Sequence, residues 1–174
     1  MSENNKKIVI FDVDGVLFKS QFLLCLSWNS GILSYIRAWY LCFLFSINYL
    51  SMRILLEKVF ISVKGLKEED LWQLYYKTKM VANAERTIQE INNSGHYVAL
   101  ISSGVPDILM KDLAEKLDAG CGYGIDVKID SGFCTGEIGG LLSYSDGKLQ
   151  VVNKLLKIHN NTWDNVVVVG DDRN

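Results

Sequence analysis

The sequence predicts an α/β fold of three layers, a doubly wound parallel sheet between helices, with an all-helical segment inserted into it. Three short apolar runs carry this reading: Ile8 to Phe11, Tyr97 to Ile101 and Val166 to Val169. None shows the polar alternation of a strand with one wet face, so each is expected to be buried on both sides. Each also ends in small or acidic residues, as DVDG, SSG and GDD. In open parallel sheets ligands bind beyond the carboxyl ends of the strands, and the chemistry is expected there.

The segments between these runs read as helices. Asn83 to Asn93 has Ile88 and Ile91 three apart and stops at Ser94-Gly95. Pro106 to Leu117 sets Ile108, Leu109, Leu113 and Leu117 on one face, with the proline near the first turn, where its missing N–H costs nothing. Gly147 to His159 is a third helix. Val127 to Ile138 alternates around Ser131-Gly132 and predicts a hairpin. From Phe22 to Val81 no strand pattern interrupts a helical composition, with breaks expected at Ser30-Gly31 and Lys64-Gly65. Residues 1–20 and 83–174 are thus expected to form the core, and 21–82 a helical cap.

Composition narrows the function. An apolar fraction of 49% and a charged fraction of 22% suit a globular chain with a real core. Eighteen basic against twenty acidic residues leave a formal charge of -2 with no basic stripe, which argues against a nucleic-acid partner. Cys25, Cys42, Cys121 and Cys134 lack CxxC spacing and neighbouring histidines, so reduced thiols in a cytoplasmic protein are the expectation. The N-terminus has no signal-peptide pattern.

The candidate chemistry begins at Asp12-Val13-Asp14-Gly15. Carboxylates at i and i+2 on an extended tip point the same way. At ~4 Å they repel by ~4 kcal/mol at an effective dielectric of 20, so they call for a shared proton or a hard cation such as Mg²⁺. A lone DxD is more often a helix-capping turn. Ser102, Ser103 and Gly104 follow the second strand ahead of a helix, whose N-terminal N–H groups suit a phosphate oxygen. Lys148 opens a helix in SDGKLQ, and Asp171-Asp172 close the last strand.

Together, in the order DxDGV, strand-Ser, Lys, strand-GDD, these elements resemble the haloacid dehalogenase (HAD) superfamily, with its Rossmann-like core. The helical stretch after the first motif, DSGFCTGEIGG and DGKLQVV are similar to its phosphoserine-phosphatase-like branch. The resemblance implies a Mg²⁺-dependent phosphomonoester hydrolase in which Asp12 is the nucleophile and Asp14 the acid and base. Ser102, Ser103, Gly104 and Lys148 would bind the phosphoryl group, and Asp12, Asp14, Asp171 and Asp172 would surround the metal. It also implies a further aspartate, helix and strand beyond Asn174. The C-terminal part of the core is therefore expected to be missing, with weaker Mg²⁺ binding and activity. Two rivals stand beside this reading: a phosphatase of lipid head groups at a membrane surface, and a catalytically incomplete binding module. The match to phosphoserine itself is incomplete, because Gln21 stands where the branch has a glutamate and only Arg37 or Arg53 could meet a substrate carboxylate.

Ser20 to Met52 is the anomaly, with Arg37 its only charge and eight aromatics. No transmembrane span is expected. Ile32 to Leu50 gains roughly 0.3 to 0.6 kcal/mol for each of its Ile, Leu and Phe residues and loses about 3 for the arginine. One crossing would also separate Asp12 from Ser102. A cap that buries its apolar faces, and one that presents them to lipid or to a second subunit, both remain open.

Overall fold

The computed structural model describes residues 6–171. Its five strands are β1 (Ile8–Asp12), β2 (Tyr97–Pro106), β3 (Cys121–Asp130), β4 (Phe133–Gly139) and β5 (Val166–Val169), in the spatial order β4-β3-β2-β1-β5. All neighbours are parallel except β3 and β4, which form the antiparallel hairpin. Its turn is Ser131-Gly132, both at positive φ, matching the expected Ser-Gly hairpin.

Period-two alternation divides the core between the faces of the sheet. Val9, Phe11, Val98 and Leu100 point to one side, where α5 (Ala84–Asn93) and α6 (Asp107–Lys116) lie. Ile8, Ile10, Ala99 and Ile101 point to the other, under α7 (Gly147–Ile158). This is the expected three-layer arrangement. β5 differs from the expectation of a strand buried on both sides: it is an edge, and Val168 is 65% exposed.

β3 begins well before the predicted hairpin. Its first half, Cys121-Gly122-Tyr123-Gly124, pairs with β2 as a central strand. Glycines weaken a strand, but the backbone here has no room for side chains. A Cβ on Gly122 would collide with the Met110 carbonyl, and one on Gly124 with the Val105 carbonyl.

The segment after β1 forms α1 (Phe22–Asn29), α2 (Ile32–Ser46), α3 (Met52–Ser62) and α4 (Glu68–Lys77). The chain breaks at Ser30-Gly31 and Lys64-Gly65 as expected, and again at 47–51, where Ser51 caps α3 by accepting the Ile54 N–H. Two seams tie these helices down. Lys19 donates to the Lys79 carbonyl and Val81 to the Leu17 carbonyl, pairing the entering and leaving strands of chain. Gly65 donates to Cys134, Cys134 to Leu66, and Glu68 to Gly132, so the α3–α4 connection rides on β4. Phe22, Leu26, Leu56 and Phe60 then join the same apolar cluster as Val98 and Leu109.

A third tie is polar. The Tyr75 hydroxyl of α4 donates to Asp112 of α6 at 2.6 Å, and Lys116 pairs with the same carboxylate. Replacing Tyr75 by Phe should lower stability by about 1 to 2 kcal/mol, since a hydrogen bond to a charged acceptor is lost while Lys116 still holds Asp112. Urea titration checks this, with the loss expected in the midpoint and not in the slope.

Candidate active site

Asp12 is the last residue of β1, at the carboxyl end of the sheet. Its Oδ1 accepts the Val13 N–H at 2.8 Å, and its Oδ2 meets the ammonium of Lys148, the second residue of α7. Residues 136 apart in sequence thus form an ion pair because β1 and the start of α7 lie at the same end of the core. The Asp12 side chain is 17% exposed, so the pair is shielded without being sealed.

Asp14 lies deeper. Its Oδ1 accepts the Phe22 N–H at 2.8 Å, at the opening of α1. Its Oδ2 accepts the Ser102 hydroxyl at 3.1 Å. Burial pushes its pKa up to about 6, and the negative charge of Asp12 adds to the rise, against the opposing pull of the two hydrogen bonds and Lys148. The two carboxylates therefore differ by environment, one paired with a cation and one desolvated.

Ser102 organises the turn that follows β2's regular part. Its Oγ accepts the N–H groups of Gly104 at 3.1 Å and Val105 at 3.2 Å while its proton goes to Asp14. Gly104 also supplies space, since a Cβ there would lie 2.5 Å from Asp14 Oδ2. Gly15 does the same on the other side. It sits at φ +77°, where glycine is favoured, and a Cβ on it would run into the Asp171 carboxylate. Asp171 is thereby brought to the DxDG turn. Asp172 lies outside the described residues.

A cavity of about 400 Å³ opens beside Asp12. Ser103 and Lys148 share its wall with Asp12, Tyr144 stands next to them, and Phe45 and Met52 reach in from α2 and α3. The structure thus gathers Asp12, Asp14, Ser102, Ser103, Gly104, Lys148 and Asp171 around one end of the sheet.

A family model described as haloacid dehalogenase-like hydrolase matches residues 9–174. The chain belongs to that family. Among curated proteins it is similar to a phosphoserine phosphatase of Archaeoglobus fulgidus, 25% identical over 169 residues, which cover 97% of this chain and 48% of the relative. A phosphoserine phosphatase of Methanocaldococcus jannaschii is also 25% identical, over 99% of this chain and 80% of its own. The chain therefore spans about half the length of the first relative and four-fifths of the second. Among solved structures, a phospho-aspartyl intermediate analogue of phosphoserine phosphatase superposes with a TM-score of 0.87 at 24% identity, covering 97% of this chain and 79% of that one. A HAD family hydrolase from Salmonella enterica gives 0.85 at 17% identity, over 95% of this chain and 55% of its own. These two likenesses bear on the fold.

Within the HAD frame, Gln21, Arg37 and Arg53 do not line the cavity beside Asp12. Gln21 lines a groove between α1 and α4, and Arg37 is exposed on α2. Arg53 is nearer, stacked 4.6 Å over the Tyr144 ring, with Glu57 and Ser143 as partners. Three features of the site had no signal that sequence reasoning used. The Phe22 N–H is backbone, the space at Gly104 depends on Asp14, and Phe45 and Met52 read as ordinary cap residues.

Proposed function

We propose that this chain is a phosphomonoester hydrolase that works through an aspartyl-phosphate on Asp12. One observation carries the reading: a carboxylate held by a lysine stands beside a second carboxyl buried enough to hold its proton near pH 6. Phosphoryl transfer asks for a positioned nucleophile, neutralisation of charge and a proton for the leaving oxygen. Asp12 attacks phosphorus as the P–O bond to the leaving group breaks. Protonated Asp14 gives its proton to that oxygen, then takes one from the water that attacks the aspartyl-phosphate and releases phosphate. Lys148 pairs with Asp12 and offsets the phosphoryl charge, and Ser102 holds Asp14 in place.

The donors around the DxDG turn suit Mg²⁺. Asp12, the Asp14 backbone carbonyl and Asp171, which stands against Gly15, would offer it oxygens, and this cation needs only one or two carboxylates with water and phosphate completing its shell. Among the described residues no group of three acidic, histidine or cysteine side chains could hold a metal alone. When bound, the cation would neutralise the phosphoryl oxygens.

The names of the relatives support a small phosphorylated substrate. The test is phosphate release from p-nitrophenyl phosphate and a panel of small phosphomonoesters, with Mg²⁺ and with EDTA. Mg²⁺-dependent release is expected. No release from any ester, alongside binding of one, would replace the enzyme by a binding module.

A further inference from the structure

α2 packs with its outer face uncovered. Ile32, Ile36, Trp39, Tyr40, Phe43 and Ile47 recur at the spacing of one helical stripe, and each is between 53% and 60% exposed. The opposite side, with Ala38 and Leu41, is the buried one. A helix apolar on all sides is ordinarily enclosed on all sides, and an outward stripe of this kind marks an interaction surface. Trp28 of α1 extends it through Tyr35 to Trp39, ring against ring, with centroids 5.0 Å and 6.5 Å apart.

Charge selects the occupant. From Gly15 to Leu56 the chain holds no Asp or Glu, while Lys19 and Arg37 lie within it, and Arg53 is answered by Glu57. The groove along α1 that takes in Trp28 and Tyr35 shares Ser20, Cys25 and Leu74 with a second groove, whose lining includes Lys19, Lys77 and Lys79. An aromatic and aliphatic stripe flanked by cations matches the interfacial layer of an anionic bilayer. A second copy presenting the same stripe would bring Arg37 to a surface without a carboxylate to answer it. α2 has 15 residues, and no described helix is long and apolar enough to cross a membrane, so contact would lie along the surface.

We propose that the outer face of α2 docks on an anionic lipid surface. Its test needs no turnover and is independent of the phosphatase reading. The chain is mixed with vesicles of phosphatidylcholine alone, or of phosphatidylcholine with phosphatidylglycerol, and floated on a density gradient. Roughly tenfold stronger partitioning onto the anionic vesicles is expected, falling as salt is raised. Ile36→Asp with Phe43→Asp should reduce it by at least roughly tenfold with an unchanged thermal melt, because neither side chain is core. Lys19→Glu with Arg37→Glu, which leaves the apolar stripe intact, should remove the preference for anionic vesicles. Absence of flotation, equal binding to both vesicle types, or a wild-type dimer that the Asp pair dissolves would overturn the proposal.

Discussion

Asp12→Asn is expected to reduce phosphate release by on the order of 10⁴-fold or more, because it removes the attacking group itself while changing almost no volume. The fold should persist. The amide oxygen of the substituted side chain can still accept the Val13 N–H, and Lys148, nearly half exposed, returns to water without a buried charge left behind. Steady-state release from p-nitrophenyl phosphate, with a thermal melt on the same sample, separates lost chemistry from lost structure. Activity within tenfold of wild type would remove Asp12 from the role.

Asp14→Asn is expected to act on rate and stability in opposite directions. Loss of the proton donor should slow phosphoryl transfer from an alkyl phosphate to Asp12 by ~10² to 10⁴-fold, and transfer from p-nitrophenyl phosphate, read as the burst of p-nitrophenol, much less, since its leaving group needs no proton. The stability effect follows from the raised pKa, about 6 against an ordinary 3.8. A carboxyl that binds its proton more tightly when folded stabilises the fold at low pH. That contribution is complete below 3.8 and is lost as pH rises through 6. Asparagine carries no charge at any pH, so in EDTA the variant should be the more stable protein above pH 6. The gain should reach up to about 3 kcal/mol, from roughly two pKa units at 1.4 kcal/mol each, less whatever the amide loses against Phe22 and Ser102. Parallel melts at pH 4 and pH 8 check the sign, with the difference between the two proteins growing toward pH 8.

β1 was legible because burial on both faces writes a continuous apolar run, and β5 was legible by the same kind of run although its middle valines are exposed. The first half of β3 was not legible, since Gly122 and Gly124 answer to carbonyls on distant parts of the chain and carry no strand propensity of their own. α2 was visible as an apolar anomaly, but its orientation was not: residues apolar on every side give no stripe to mark the inner face. In the site, Asp12, Asp14, Ser102 and Lys148 stood out by residue type beside strand ends. What distinguishes the two aspartates is burial and a backbone N–H from Phe22, and both exist only once the helices close over β1.

The most direct test of the central claim is to trap the phosphorylated enzyme. Asp14→Asn with p-nitrophenyl phosphate favours it, because formation needs little acid catalysis with this leaving group while breakdown still needs Asp14 as base. Acid quench during turnover, followed by mass spectrometry of the peptide containing Asp12, should find one phosphoryl group on that residue. Phosphate release with no phosphoryl group on Asp12, or with the group on another side chain, would contradict the account.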